Sequence, residues 1–432
     1  MSKAHFQIDD TDGPRVTRAW VLHPDIRTNP DRRDPEPALA EAVSLARALP
    51  ALEVAGAEVV QLRSVDAGKL FGKGKIATLH DVLEENEIEL VLVDGPVTPV
   101  QQRNLEKAWG VKLLDRTGLI LEIFSDRAAT REGVLQVEMA ALNYQRTRLV
   151  RAWTHLERQR GGLGFVGGPG ETQIEADRRA IDEQLVRLRR QLEKVVKTRA
   201  LHRAARAKVP YPIVALVGYT NAGKSTLFNR LTGAEVMAKD MLFATLDPTM
   251  RSLVLPDGPE IILSDTVGFI SDLPTELVAA FRATLEEVLA ADIILHVRDI
   301  SHAETEEQAR DVNEILISLG VPSETRSFEI WNKIDLLTRE EADALHARAE
   351  RDDDVLALSA ISGEGLERLQ SVVAQALQGA VREAEVTLSF AEGKKRAWLF
   401  DQDVVVGENQ TDDGFALTVR WSSRQEAQFQ QL

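Results

Sequence analysis

The chain has 432 residues, of which 44% are hydrophobic, 28% are charged and none is cysteine; its formal net charge is −16 at pH 7. This length exceeds one hydrophobic core, so we expect roughly two to four domains. The absence of thiols excludes disulfides, thiolate metal sites and cysteine nucleophiles. No apolar run approaches the eighteen or so residues of a membrane span. The polar segment Met1–Asp12 does not resemble a signal peptide, so we expect a cytoplasmic protein.

The first part of the chain alternates strand and helix patterns. Apolar and β-branched runs predict strands at Val16–Leu22, Glu58–Leu62, Leu90–Val93 and Val111–Leu114. Helical patterns lie between them at Pro37–Leu49, Gly74–Asn86 and Thr98–Trp109. This order is typical of a small parallel sheet with flanking helices. Gly72–Lys75 carries two Gly-Lys pairs but not the full phosphate-loop pattern, so a second nucleotide site there is the less favoured alternative.

The next segment predicts two long helices joined by a glycine-rich loop. Apolar residues recur at helical spacing from Leu119 to Leu142, with a break near Gly133. The segment Gly161–Gly170 contains too much glycine for a helix or a strand, and Glu171–Lys208 is again helical. The second helix carries one apolar stripe: Ile174, Ile181, Leu185, Leu188, Leu192 and Val195. We therefore expect a helical hairpin.

The hairpin is the basic part of an acidic protein. Between Arg146 and Lys208 there are sixteen Lys and Arg against seven Asp and Glu, a net charge of +9. Two interpretations stay open at this point. The hairpin is either a spacer with a solvated helix face, or an arm whose loop and basic flanks contact a large polyanion.

A phosphate-binding loop follows the hairpin. Gly218–Thr226 comes after the apolar run Ile213–Val217 and before a helical sequence, and strand, G-x-x-x-x-G-K-S and helix is the required order. Inward-pointing N–H groups and Lys224 attract phosphates, and Ser225 offers a hydroxyl to Mg²⁺. The expected nucleotide-binding residues here are Gly218, Tyr219, Thr220, Asn221, Ala222, Gly223, Lys224, Ser225 and Thr226.

Two further segments are expected at the phosphates. Ser264–Gly268 closes an apolar strand, and its Asp265 lies 41 residues after Lys224. Asp265 is expected to hold Mg²⁺ through water, and the Gly268 N–H to meet the γ-phosphate. Switch I must lie between the phosphate loop and the strand that ends at Asp265. In that segment, Thr245 or Thr249 would be the remaining ligand of Mg²⁺. The expected contacts are Phe243, Ala244, Thr245, Leu246, Asp247, Asp265, Thr266, Val267 and Gly268.

Two motifs select the base. Asp335 can accept hydrogen bonds from N1–H and the exocyclic amine of guanine, a donor pair that adenine lacks. A backbone N–H of Ser359–Ile361 is expected at the guanine carbonyl. The base-binding residues are Asn332, Lys333, Ile334, Asp335, Ser359, Ala360 and Ile361. Together with the phosphate loop, these motifs predict a guanine-nucleotide hydrolase with GTP as substrate.

The fold class that we predict is multidomain α/β, with four parts. These are an N-terminal α/β domain (1–115), a helical arm with a glycine-rich tip (116–209), a P-loop GTPase domain (210–380) and a small C-terminal α/β module (381–432). In the last part, strands are predicted at Thr387–Phe390 and Phe415–Trp421, and helices at Lys394–Phe400 and Ser422–Leu432. That part shows no residues for chemistry.

Three longer runs resemble the HflX-type GTPases, within the Obg/HflX group of translation-factor-like P-loop GTPases. They are Arg116–Phe124, Trp153–Gln159 and Gly168–Gln173, and Phe243–Thr249 is similar to that family's switch I with Thr245 as the magnesium threonine. The resemblance covers residues 15 to 380. It implies binding to the large (50S) ribosomal subunit and its rRNA, with the arm tip near the peptidyl-transferase centre, and splitting or rescue of stalled ribosomes. Many relatives carry a basic residue in the tip where this chain has Phe165–Gly167, so stacking on exposed bases is an alternative to charge contacts.

The catalytic assignment that follows is Lys224, Thr245 and Gly268, with Ser225, Thr245 and Asp265 on Mg²⁺. Phe269 stands where many GTPases have a water-orienting glutamine, so we expect slow basal hydrolysis that the ribosome stimulates. Asn221 matches an asparagine that helps to hold K⁺ in potassium-activated GTPases; the alternative is that it only accommodates a tight turn.

We expect a monomer. Two other functions stay open: a GTPase acting in RNA modification or processing, and a GTP-controlled scaffold that binds only proteins. The sequence shows no residues for transferring a group to a base.

Overall fold

The computed structural model describes residues 16–30, 32–159, 169–206, 211–234, 242–243, 249–256, 258–271, 286–322, 325–378, 381–411 and 413–430. Within these ranges no helix is both long and apolar enough to cross a membrane.

The N-terminal part is a four-stranded parallel sheet, as predicted. Its strands are β1 (Thr17–Ile26), β2 (Leu52–Leu62), β3 (Leu90–Val93) and β4 (Lys112–Asp115), in the order β2-β1-β3-β4. Its helices are α1 (Pro35–Arg47), α2 (Lys73–Glu85) and α3 (Pro99–Trp109). A capping box between Thr98 and Gln101 fixes the start of α3. Because all four strands are parallel, their carboxyl ends share one edge of the sheet.

Three helices continue the chain. They are α4 (Arg116–Arg127), α5 (Arg131–Gln159) and α6 (Pro169–Arg206). Leu135 and Leu142 of α5 form one apolar cluster with Leu185 and Leu188 of α6. The two long helices therefore pack together, which confirms the predicted stripe for its described members. Helix α6 begins at Pro169, two residues before the predicted start, and the rest of the glycine-rich segment lies outside the described residues.

The central sheet has six strands in the order β10-β9-β8-β5-β7-β6. They are β5 (Ile213–Gly218), β6 (Thr249–Val254), β7 (Glu260–Asp265), β8 (Ile293–Asp299), β9 (Arg326–Asn332) and β10 (Val355–Ala357). Only β6 among them is antiparallel to its neighbour. The described helices are α7 (Lys224–Thr232), α8 (Glu286–Leu289), α9 (Thr305–Leu319), α10 (Arg339–Ala349) and α11 (Leu366–Gln378). This is the parallel α/β arrangement in which loops after the strands meet at one edge.

The C-terminal part is a three-stranded antiparallel sheet, β11 (Val381–Ser389), β12 (Val405–Thr411) and β13 (Gly414–Ser422), in the order β11-β13-β12. Helices α12 (Gly393–Asp401) and α13 (Ser423–Gln430) accompany it. Strand β12 was not predicted from the sequence. That strand lies at an edge and its residues from Glu408 to Thr411 are exposed, so it has no apolar alternation to detect.

One apolar cluster joins the N-terminal part to the central sheet. It contains Ile120 and Phe124 of α4 together with Val217, Phe269 and Val312 of the central part. A mixed cluster of this kind was not predicted, because sequence periodicity shows which face of an element is buried but not against which element it packs.

Candidate nucleotide-binding site

The phosphate loop has the backbone shape that its sequence predicts. Gly218 ends β5 with φ 149°, and a Cβ atom there would lie 2.1 Å from the carbonyl oxygen of Val297. Gly223 precedes α7 with φ 93°, and its Cβ would lie 2.2 Å from Nδ2 of Asn332. Any larger residue at either position would clash, so the glycines are required by packing as well as by φ. Asn221 has φ 59°, which agrees with the tight-turn interpretation of that residue.

Lys224 is buried inside the loop. Its Nζ donates to the carbonyl oxygens of Gly218, at 3.1 Å, and Tyr219, at 2.7 Å. Burial lowers the pKa of Lys224 to about 8, although the nearby carboxylate of Asp265 opposes this. An ammonium group held this way is poised to be stabilised by an incoming phosphate anion.

Ser225, at the start of α7, lies next to Asp265, at the end of β7. The Ser225 hydroxyl donates to Oδ2 of Asp265 at 2.7 Å, and Asp265 is fully buried. Both provide oxygen atoms, the ligand type that Mg²⁺ prefers, so the two residues fit the magnesium site predicted for them. Thr245, the third predicted ligand, lies outside the described residues together with Ala244, Leu246 and Asp247.

Gly268 lies directly against the phosphate loop. A Cβ atom there would be 2.9 Å from Cα of Thr220 and 3.1 Å from Nζ of Lys224. The next residue pairs with the loop backbone: Phe269 N–H donates to the Gly218 carbonyl at 3.1 Å, and Thr220 N–H donates to the Phe269 carbonyl at 2.7 Å. Gly268 is thus close to the groups that would hold the outer phosphates.

Phe269 turns its ring away from solvent. The side chain is 1% exposed and belongs to the apolar cluster shared with α4. The ring therefore has a packing role, and it offers no polar atom to a water molecule. Thr266, also in this motif, donates its hydroxyl to the carbonyl of Leu216 at 2.7 Å and so ties β7 to β5.

The base-selecting motif is linked to the phosphate loop through Asn332. Its Nδ2 donates to the Ala222 carbonyl at 2.8 Å, and its Oδ1 accepts from the Ala360 N–H at 2.9 Å. One side chain thus connects three of the predicted segments. Lys333 has φ 66°, and its Nζ donates to Asp299 at 2.7 Å, a partner that the sequence analysis did not identify.

Asp335 is oriented by Ser359. The Ser359 hydroxyl donates to Oδ1 of Asp335 at 2.5 Å and accepts from the Ser362 N–H at 3.1 Å. From the sequence, only a backbone role was predicted for this loop. The structure adds that the Ser359 side chain fixes the carboxylate predicted to bind guanine. Ile361 in the same loop is 70% exposed.

A polar cluster between the two sheets was missed. Arg116, the first residue of α4, donates to Glu41 of α1, to Asp94 at 2.6 Å and to the carbonyl of Ser271 at 2.9 Å. Tyr219 of the phosphate loop donates to Glu41 and accepts from the Ser271 N–H at 2.8 Å. The cluster therefore connects the N-terminal sheet to the phosphate loop and to the segment after Gly268.

The charges of this cluster are well matched. Burial alone would raise the pKa of Glu41, but the Arg116 and Arg33 guanidinium groups bring that pKa below its ordinary value. Burial and the Glu41 carboxylate both raise the pKa of Tyr219, so the phenol keeps its proton. One sequence signal pointed to this cluster: Arg116 is the first residue of the run that resembles the HflX signature. No local sequence pattern indicated a role for Glu41.

Four family models match successive parts of the chain. They are described as GTP-binding GTPase N-terminal (36–125), GTP-binding GTPase middle region (127–206), 50S ribosome-binding GTPase (213–333) and HflX C-terminal domain (344–431). A solved structure, a GTP-binding protein from Sulfolobus solfataricus in complex with GDP, covers 84% of this chain and 98% of its own at 22% identity with a TM-score of 0.44.

Curated relatives match over most of their length. GTPase HflX of Magnetococcus marinus is 51% identical over 368 residues, which are 85% of this chain and 84% of the relative. GTPase HflX of Escherichia coli is 43% identical over 369 residues, covering 83% and 85%. Putative GTP-binding protein 6 of Xenopus laevis is 36% identical and covers 89% and 73%. With the phosphate loop, the base motif and these matches together, the chain belongs to the HflX family of GTPases.

Proposed function

We propose that this GTPase binds the large ribosomal subunit in a nucleotide-dependent way and splits or rescues stalled ribosomes. Support comes from the central family model, described as a 50S ribosome-binding GTPase over residues 213–333. Further support comes from the basic hairpin on an otherwise acidic chain, since rRNA is a polyanion. Exposed arginines lie along α6: Arg178, Arg179, Arg187, Arg189 and Arg190.

The observation that carries the proposal is the adjacency of Asp115 and Arg116. Asp115 caps α4 through the Gly118 N–H at 2.9 Å and accepts hydrogen bonds from Tyr144 and Arg148 of α5. Arg116 bonds Ser271, three residues after Gly268. Asp115 thus holds α5, a helix of the arm, and its neighbour Arg116 holds the segment next to the phosphate site. A contact made by the arm and a change at the γ-phosphate are therefore linked through one short piece of chain.

We infer the following roles in hydrolysis. Lys224 stabilises negative charge on the outer phosphates, and the Gly268 N–H meets the γ-phosphate. Ser225, Asp265 and Thr245 would hold Mg²⁺, which would supply positive charge to offset the negative charge of the phosphates. Asn221 would help to hold K⁺. Because Phe269 offers no polar group to the nucleophilic water, intrinsic hydrolysis is slow and the ribosome supplies the stimulus.

The proposal also makes the protein a cytoplasmic monomer. A sucrose-gradient assay tests the function: 70S ribosomes are incubated with the protein and a non-hydrolysable GTP analogue, GDP or no nucleotide. We expect a rise in free 50S and 30S subunits with the analogue and less with GDP. Intact 70S ribosomes in all three samples would contradict the splitting role. An RNA-modifying GTPase or a protein-only scaffold would leave the gradient unchanged.

A further inference from the structure

Thr220 of the phosphate loop carries a hydroxyl group that is buried and unsatisfied. The residue is 6% exposed, and its Oγ1 has no hydrogen-bond partner among the described residues. The hydroxyls of Tyr219 and Ser225 in the same loop both donate to carboxylates. A buried hydroxyl without a hydrogen bond destabilises a fold, so this one calls for an explanation.

The backbone of Thr220 is fixed by the segment that follows Gly268. The Thr220 N–H donates to the carbonyl of Phe269 at 2.7 Å, and the Phe269 N–H donates to the carbonyl of Gly218 at 3.1 Å. Because two backbone hydrogen bonds join the loop to this segment, the Cβ atom of Thr220 has a defined position.

The side chain of Thr220 lies against the two groups expected at the γ-phosphate. A Cβ atom at Gly268 would lie 2.8 Å from Cγ2 of Thr220 and 3.1 Å from Nζ of Lys224. Cγ2 and Oγ1 leave the same Cβ atom, so with bonds of about 1.5 Å the hydroxyl lies about 2.5 Å from that methyl group. The unsatisfied hydroxyl is therefore next to the place where the Gly268 N–H and Lys224 would hold the γ-phosphate.

The residue after Gly268 has no polar side chain to act on water. The ring of Phe269 is 1% exposed and packs in the apolar cluster shared with α4. Thr220 is the backbone partner of Phe269, and a threonine hydroxyl has one donor and two acceptor sites. One hydroxyl can thus donate to a γ-phosphate oxygen and accept from the attacking water at the same time.

We propose that Thr220 is a catalytic residue, whose hydroxyl orients the attacking water against the γ-phosphate. The water oxygen forms a bond to the γ-phosphorus, the bond from that phosphorus to the bridging oxygen breaks, and GDP leaves with the electron pair. A proton of the water passes to a γ-phosphate oxygen, and Thr220 keeps its own proton. The inference rests on the proposed place of the γ-phosphate beside Lys224 and Gly268.

The test compares Thr220→Val, which keeps the shape and removes the hydroxyl, with Thr220→Ser, which keeps the hydroxyl. Single-turnover hydrolysis of GTP is measured with excess protein and without ribosomes, so the result does not depend on ribosome binding. We expect the rate to fall about tenfold in Thr220→Val, the ratio for one neutral hydrogen bond lost in the transition state, and to stay within about threefold in Thr220→Ser. A rate in Thr220→Val equal to or above that of the unaltered protein would overturn the inference.

Affinity and stability separate catalysis from a packing role. In Thr220→Val the Kd values for GDP and for a GTP analogue should change by less than about threefold. The thermal midpoint should not fall, because the lost hydroxyl has no partner among the described residues of the free protein. A tenfold rise in the Kd of the GTP analogue with an unchanged single-turnover rate would make Thr220 a phosphate ligand only, and would overturn its catalytic role.

Thr305→Val is the matched control. Thr305 begins α9, and its Oγ1 is also buried without a partner among the described residues. The same exchange of a hydroxyl for a methyl group should leave the hydrolysis rate unchanged there. Equal rate losses in Thr305→Val and Thr220→Val would show a general effect of the exchange and would contradict the inference.

Lys224→Ala tests the assignment on which the inference rests. If Lys224→Ala loses hydrolysis while Thr220→Val keeps the full rate, Thr220 is not catalytic and the phosphate assignment stands. If Lys224→Ala hydrolyses GTP at the rate of the unaltered protein, the phosphate assignment is wrong and the inference fails with it. Should Thr220→Val not fold, Thr220→Ala, which also lacks the hydroxyl, takes its place with the same expected result.

Discussion

The phenol of Tyr219 in the phosphate loop donates a hydrogen bond to the carboxylate of Glu41, a residue 178 positions earlier on α1. The same oxygen accepts the Ser271 N–H. A phosphate-loop side chain therefore holds the N-terminal part on one side and the segment after Gly268 on the other.

Tyr219→Phe removes this oxygen and leaves the ring. Buried Glu41 loses a donor and the Ser271 N–H loses an acceptor, so the free energy of unfolding should fall by about 1–3 kcal/mol. Thermal unfolding measures the change. Tyr211→Phe is the control, since that tyrosine is 40% exposed and its hydroxyl bonds Glu260. Equal shifts in the two variants would show that the bonds of Tyr219 to Glu41 and Ser271 contribute nothing beyond a surface contact.

Nucleotide affinity should depend on pH through Lys224. Its pKa in the free protein is lowered to about 8, and bound phosphates would raise it. Above pH 8 the free protein has lost the proton that the complex keeps, so binding takes up a proton and the Kd for GDP rises. Between pH 7 and 9 we expect up to about a tenfold increase, measured by titration with fluorescent GDP.

The control for this dependence is Lys224→Arg, whose guanidinium does not titrate in this range. It should bind more weakly and with a Kd that does not change with pH. A Kd for the unaltered protein that stays constant from pH 7 to 9 would contradict the lowered pKa.

Asp335→Asn should change the base preference. The amide replaces a carboxylate that we expect to accept two hydrogen bonds from guanine, and a bond to a charged group is worth about 1.5–3 kcal/mol, so GTP affinity should fall by roughly one to two decades. Affinity for xanthosine triphosphate should rise, because xanthine has a carbonyl where guanine has the amine. Unchanged GTP affinity in a competition titration would reject the assignment of Asp335.

Much of the fold followed from local sequence patterns. The four N-terminal strands have apolar runs bounded by helix starts, and the phosphate loop has a spacing set by its glycines. The hydrogen bond from Tyr219 to Glu41 and the ring contact between Phe243 and Phe124 could not be predicted, because each joins segments more than a hundred residues apart. Strand β12 escaped detection because its exposed edge is polar. The division into four domains and the individual nucleotide contacts remain predictions.

Ribosome binding should weaken with salt in proportion to the phosphates that the arm contacts. Arg189 and Arg190 are exposed on α6, so Arg189→Gln with Arg190→Gln should reduce the slope of log affinity against log salt by up to about 0.7–0.9 per lost phosphate contact. The control changes Arg339 and Arg351, which are exposed on the GTPase part, to Gln. The affinity is measured by filter binding at several salt concentrations. If both pairs reduce the slope equally, general charge and not the arm governs binding.

The most direct measurement is co-sedimentation of the protein with purified 50S subunits in the presence of a GTP analogue or GDP. The comparison is between the unaltered chain and a variant in which residues 161–168 are replaced by a short Gly-Ser linker. We expect the unaltered chain to pellet with 50S subunits in the presence of the GTP analogue and less so with GDP. The variant should keep its nucleotide affinity and lose the pellet. Equal pelleting of the two proteins would make the arm a spacer and would contradict its proposed role in binding the large ribosomal subunit.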